Sequence, residues 1–160
     1  MIHPFLKKLA TEPTLFAEHA SAYAGLATLE ARELALVWMQ RMAPFRPHLG
    51  GAVWHGTATR LSDIYIQLFC DDPKSAEIAL IDHDVDYEPR TVTGFTGEQV
   101  EALSLSSFCQ GLNEKVGVHL LVYDHDDLRG ALRPDAKGRK PRGDLNDMQK
   151  LQMNIQATIL

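Results

Sequence analysis

The sequence predicts a single α+β domain: a mixed or mostly antiparallel sheet of about five strands, flanked by N-terminal and C-terminal helices. Three observations predict it. The 160 residues fit one domain and are enough to bury a full core without staples. Apolar residues recur at helical spacing near both ends of the chain. Between them the pattern changes to period two and to short apolar runs bounded by Gly, Pro and Asp.

In chain order, Thr11-Glu12-Pro13 starts a first helix, with Phe16, Ala20, Tyr23 and Ala27 at helical spacing. Gly25 and Thr28 mark a break and a new cap. From Leu29 to Met42, the residues Ala31, Leu34, Ala35, Trp38 and Met42 share one face. Glu30, Arg32, Glu33, Gln40 and Arg41 take the solvent face, and Pro44 and Pro47 end the helix. Ala52–Trp54 reads as a short strand, and Ile64–Phe69 as a buried one. Asp71-Asp72-Pro73 caps a short helix carrying Ala76, Ala79 and Leu80. Tyr87–Phe95 and Gln99–Phe108 form an antiparallel pair that turns near Gly94-Gly97, and Val116–Tyr123 is the strongest strand. Asp126-Asp127 caps a short helix through Leu132. Residues 133–143 form an exposed basic loop. Asp144 caps a last helix whose stripe is Met148, Leu151, Ile155 and Ile159. The organisation is one domain over 1–160: a helical segment 1–47, a sheet core 48–132, the loop 133–143 and a helix 144–160.

Composition sets bounds on function. Apolar residues make up 45% and charged residues 23%, as in ordinary globular chains, which excludes collagen-like and largely disordered readings. No stretch approaches 18 uncharged apolar residues, so no membrane-spanning helix is expected. Lys7 and Lys8 are followed by Glu12, Pro13 and Glu18 rather than an apolar h-region, so the expected compartment is the cytoplasm. Cys70 and Cys109 are isolated thiols without a CxxC spacing, expected reduced and buried. The net charge of −5 argues against wrapping nucleic acid. The basic run from Arg129 to Arg142 leaves room for a phosphate-bearing partner but lacks the interleaved aromatics of a single-strand binder. Asp82-His83-Asp84 and Asp124-His125-Asp126 read as solvated loop ends, because neighbours on an extended chain point to opposite sides.

The informative stretch is Gly50–Phe69, G-G-A-V-W-H-G-T-A-T-R-L-S-D-I-Y-I-Q-L-F. It resembles the signature of the nucleotidyltransferase superfamily in its minimal form: a Gly-Ser pair, about a dozen residues, then Asp-x-Asp at the start of a strand. The resemblance covers roughly 20 residues and aligns Gly51, Gly56-Thr57-Ala58 and Ser62-Asp63-Ile64 without a gap. It implies that fold, with the backbone at Gly51, Ala52, His55, Gly56, Thr57 and Ser62 near a nucleotide, and with Asp63, Tyr65 and His119 around it. It also implies the chemistry of the family, in which paired carboxylates on one strand face hold Mg²⁺ with the triphosphate and a third lies on a neighbouring strand. This sequence departs at each chemical position. The family's Ser is Ala52, its second Asp is Tyr65, and its third carboxylate falls at His119 in Val118-His119-Leu120. Of the 21 acidic residues, only Asp63 is placed at the site.

Three functions follow as expectations. The first is a catalytically degenerate nucleotidyltransferase-like protein that binds a nucleotide or phosphate ligand and requires no cofactor. The second is an active enzyme using Mg²⁺ and a nucleoside triphosphate, with Asp63 working beside Glu101 or Glu88. The third is an interaction module, with a homodimer formed through the terminal helices. The runs G-A-V-W-x-G-T-A and V-x-L-x-x-Y-D-x-D-D-L-R-G-A-L are also similar to those of chains labelled muramate–alanine ligases. Such ligases carry a GKT/GKS loop, and Lys137-Gly138-Arg139 has the wrong order for one.

Overall fold

The computed structural model describes residues 25–159, with side chains described through Met153. The helix start at Thr11–Pro13 and the Phe16, Ala20 and Tyr23 positions lie outside the described residues, as do the side chains of Ile155 and Ile159. Five helices and five strands follow in the order α1 (Leu26–Arg41), β1 (His48–Gly50), α2 (Gly51–His55), β2 (Ile64–Cys70), α3 (Lys74–Asp82), β3 (Glu88–Thr93), β4 (Gln99–Cys109), β5 (Glu114–Asp124), α4 (Leu128–Ala131) and α5 (Leu145–Ile159). Short 3₁₀ turns at Ala43–Phe45 and His125–Asp127 precede β1 and α4. The α+β class with a five-stranded mixed sheet is as the pattern predicts.

The strand order is β1-β2-β5-β4-β3. β2 and β5 run parallel, and every other pairing is antiparallel. Side chains alternate across a strand, so the register sorts the sheet into two faces. One face carries Ile64, Ile66 and Leu68 of β2, Val118, Leu120 and Val122 of β5, and Leu103 and Leu105 of β4. It packs under α1, α3 and α5 through Ala31, Ala35, Trp38, Met39, Met42, Ala76, Leu80 and Met148. The apolar stripe of α1 is therefore consumed inside its own core. The other face is covered only at one end, where Phe69 and Tyr123 pack on Ala131 of α4. Its opposite end, around Tyr65 and His119, is open.

Several local expectations are corrected. Ala52–Trp54 is helical, and the strand is the preceding His48–Gly50. Gly51, with φ +67°, turns the chain out of the strand, and α2 closes on the Gly56 and Thr57 N–H groups, both donated to Ala52 O. Three apolar residues fit either period, so the pattern alone cannot decide. Thr28 is not a cap: Gly25 precedes the helix, and the buried Thr28 hydroxyl accepts from Ala58 N–H at 3.0 Å. Arg32 leaves the polar face and is 6% exposed. Its guanidinium donates to the carbonyls of Val53 at 2.9 Å and Trp54 at 2.6 Å, satisfying the C-terminal end of α2. Burial pushes this guanidinium down to about 10. The cap after β5 is Asp124, which accepts from Asp126 N–H, rather than Asp126-Asp127.

Asp144 caps α5 as expected. Its carboxylate accepts from Asp147 N–H at 2.8 Å, while Asp147 accepts from Asp144 N–H at 3.1 Å, a reciprocal box. The basic loop is anchored at its C-terminal end. Gly143 bridges Leu49 of β1, and Arg142 donates to Ala131 O and lies 4.6 Å over the Phe95 ring. Arg139 and Lys140 are paired with Asp135 and Asp147. Among the described residues, no helix is long and apolar enough to cross a membrane.

Candidate functional site

The open end of the sheet is organised by register. Gly50 pairs with Tyr65, Tyr65 with His119, His119 with Ser104, and Ser104 with Glu88. One transverse row on a single face thus crosses all five strands, at about 4.8 Å per strand. The parallel pairing of β2 and β5 brings Tyr65 and His119 together, with ring centroids 4.9 Å apart and planes inclined by 22°. Tyr65 is 44% exposed, so the outer side of this stack faces solvent. Gly51 sits against the Tyr65 ring: a Cβ there would lie 3.6 Å from its Cδ2.

Asp63 immediately precedes β2 and turns onto the same face. Its Oδ2 lies 2.8 Å from His119 Nε2, and His119 Nδ1 lies 2.8 Å from Ser104 Oγ. An ionised carboxylate can only accept, so Nε2 carries the proton and donates to Asp63. In the neutral ring Nδ1 is then the acceptor, and the Ser104 hydroxyl donates to it. Gly117 makes this possible. A Cβ at that position would lie 2.7 Å from Asp63 Cγ and 2.8 Å from both carboxylate oxygens. The carboxylate is 41% exposed and the imidazole 18%, so the pair stands at the floor of an open site.

A cleft of about 460 Å³ opens over this chain. Asp63, Ser104, Ser106, Gly117 and His119 form one side, and Asp86, Tyr87, Glu88 and Arg90 the other. Glu88 and Arg90 are paired at 3.3 Å. Asp86 and Glu88 correct the expectation that Asp63 is the only acid at the site: β4 lies beside β5, and β3 folds back along the far side of β4, which brings both acids to the cleft. Glu101 is corrected in the opposite sense. It precedes Ala102 and Ser104 by odd steps on β4, so it projects from the helix-covered face, away from Asp63. There its charge, after the Glu77 hydrogen bond, burial and the Glu77 charge, helps push the Tyr87 phenol up to about 12.

The remaining sequence candidates are placed as follows. Ala52 is the second residue of α2, and His55 ends α2 exposed, at the opposite end from Gly51. Gly56 and Thr57 stand at the carbonyl end of α2 with their N–H groups already donated to Ala52 O. Ser62 closes a turn by accepting from Thr59 N–H at 3.0 Å. The structure thus gathers Asp63, Tyr65, His119 and Gly51, and leaves His55, Gly56, Thr57, Ser62 and Glu101 outside the hydrogen-bonded cluster.

Ser104, Gly117, Asp86, Glu88 and Arg90 complete the site. Gly117 was signalled by an isolated glycine within the strongest strand, a mark of close approach by another group. Ser104 and Ser106 were signalled by small polar residues at period two. Among the described residues, no group of three or more His, Cys, Asp or Glu side chains converges to hold a metal ion. Mg²⁺ takes hard oxygen ligands in octahedral geometry, and Asp63 with a tyrosine and a histidine does not supply that set. In comparison with known proteins, the chain matches no family model and no curated protein.

Proposed function

We propose that this chain is a nucleotidyltransferase-like domain that has lost metal-dependent transfer and keeps a nucleotide-binding site on the open sheet face. The observation that carries the reading is the convergence of Asp63, Tyr65 and His119. These are the positions that the resemblance assigns to three carboxylates, and Tyr65 and His119 meet on adjacent parallel strands, with Asp63 hydrogen-bonded to the ring. The order of β1, the Gly50-Gly51 turn, α2 and β2 supports it. With two of the three carboxylates replaced, no in-line metal-assisted step is available to the cluster. The exposed Tyr65 ring, backed by His119, offers a stacking surface for a base instead.

Isothermal titration of the full chain with ATP, GTP, CTP and UTP, with and without Mg²⁺, tests the reading. Base stacking is worth about 1–3 kcal/mol, so Tyr65→Ala weakens binding roughly five- to 150-fold. Incubation with radiolabelled ATP or UTP yields no labelled product. Absence of binding by any of the four at millimolar concentration overturns the nucleotide site. Label transfer that Asp63→Ala abolishes overturns the loss of catalysis and returns the active enzyme, with Glu88 as the remaining partner acid.

A further inference from the structure

We propose that Ser104 is a nucleophile, activated by His119 and Asp63, that accepts an acyl group from a neutral or cationic carboxylic ester. The inference stands apart from the nucleotide reading. It rests on the hydrogen-bonded chain Ser104 Oγ to His119 Nδ1 to Asp63 Oδ2, with both links at 2.8 Å. A nucleophile, a base and a group that orients the base are thereby in contact, which is how such a triad is recognised whatever its sequence order. The ring nitrogens are used in the reverse sense to the serine-protease arrangement: Nδ1 faces the serine and Nε2 the carboxylate. The proton transfer is equivalent.

Three features support the assignment. The imidazole cannot turn, because Tyr65 stacks on it and both nitrogens are engaged. Ser104 is only 8% exposed, yet it lines the open cleft, so a small electrophile can reach it. Arg90 pairs with Ala102, two residues from Ser104 on the same face, and lines the same cleft. Its guanidinium, paired with Glu88 at 3.3 Å, is the positive charge on this cleft toward which an oxyanion formed at Ser104 would turn. Asp63, Asp86 and Glu88 outnumber Arg90 along this cleft, so it disfavours anionic acyl donors and leaves neutral or cationic ones, while the stacking ring of Tyr65 does not line it.

In the step, Ser104 Oγ bonds to the ester carbonyl carbon while its proton moves to His119 Nδ1, and the resulting imidazolium is held by Asp63. The carbon–oxygen bond to the alcohol then breaks, and the alcohol leaves with the proton from Nδ1. Water attacks the acyl-serine by the same route, releasing the acid and restoring the hydroxyl.

An uncharged alkyl fluorophosphonate tests this. Ser104 attacks phosphorus, and fluoride leaves as the proton passes to His119. Intact-mass and peptide mass spectrometry of the full chain are expected to show a single adduct on Ser104. Ser104→Ala abolishes it, and His119→Gln slows it more than tenfold. Asp63→Asn slows it, because the imidazolium formed in the step loses its carboxylate, and Asp63→Glu restores part of the rate. Thermal melts report whether each variant folds, and should His119→Gln fail to fold, Ser104→Ala and Asp63→Asn make the comparison. No adduct, an adduct elsewhere, or labelling indifferent to His119 or to Asp63 overturns the assignment.

Discussion

Gly117→Ala separates the role of Asp63 in the site from the stability of the fold. The added Cβ would sit 2.7–2.8 Å from the Asp63 carboxylate, inside any real contact distance. What it meets is the end of a partly exposed side chain, so Asp63 rotates outward and abandons His119 while the β5 backbone stays in place. A hydrogen bond to a charged group is worth about 1.5–3 kcal/mol when buried. At 41% exposure of the carboxylate, the loss falls to about 1 kcal/mol. Replacing glycine by alanine within a strand returns about 0.5–1 kcal/mol. The two nearly cancel, and the melting temperature moves by no more than about 4 °C. The local effect is large by contrast. Side-chain ¹H–¹⁵N spectra of His119 report Asp63→Asn strongly in the wild-type background and not at all in the Gly117→Ala background. Equal responses in both backgrounds would show that Asp63 keeps its partner and would refute the steric reasoning. A melting temperature lowered by more than about 10 °C would refute the cancellation.

Three other outcomes follow from the same geometry. Gly143→Ala places a Cβ 2.3 Å from Cζ3 and 2.5 Å from Cη2 of the Trp54 ring, whose Nε1 donates to Lys140 O, so the ring cannot simply swing away. Overpacking of this kind costs about 1–3 kcal/mol, read as a lower urea midpoint. Arg32→Met leaves the Val53 and Trp54 carbonyls without their donor, and a loss of about 2 kcal/mol in urea unfolding is expected. His48 donates Nδ1–H to Arg46 O, and burial first of all lowers the pKa of its ring below the usual histidine value. The unfolded chain therefore binds this proton first as pH falls. The His48 contribution is complete above about pH 6.5 and is lost as pH drops through the folded value. Thermal melts from pH 7.5 to 5 should show a shallower decline in His48→Gln than in the wild type.

Much of the sheet was legible because burial on both sides writes itself into composition. Ile64–Phe69 and Val116–Tyr123 are dense in apolar residues because helices cover one face and part of the other. The α5 cap was legible because Asp144 acts within four residues of itself. Arg32 was not. Its charge places it on the solvent face of an isolated helix, and only the carbonyl end of α2, 21 residues away, gives a buried guanidinium partners. At the site, Tyr65 and His119 were foreseeable as neighbours once β2 and β5 were taken as adjacent. Glu101 and Glu88 were indistinguishable in sequence, and they separate only when the β3–β4 register assigns each a face.

The sequence by itself determined which of the longer segments extend and which coil, with the short run at Ala52–Trp54 left undecided, and where Asp63 falls relative to the glycine turn. These depend on local propensity, capping and periodicity, all of which act over a few residues. Only the tertiary structure decided that Asp63, His119 and Ser104 form one hydrogen-bonded chain beneath a cleft edged by Asp86, Glu88 and Arg90. Those residues come from four segments up to 56 positions apart. Their meeting depends on strand order, parallel register and the missing side chain of Gly117. Each is settled by how the sheet packs as a whole rather than by any stretch of the chain.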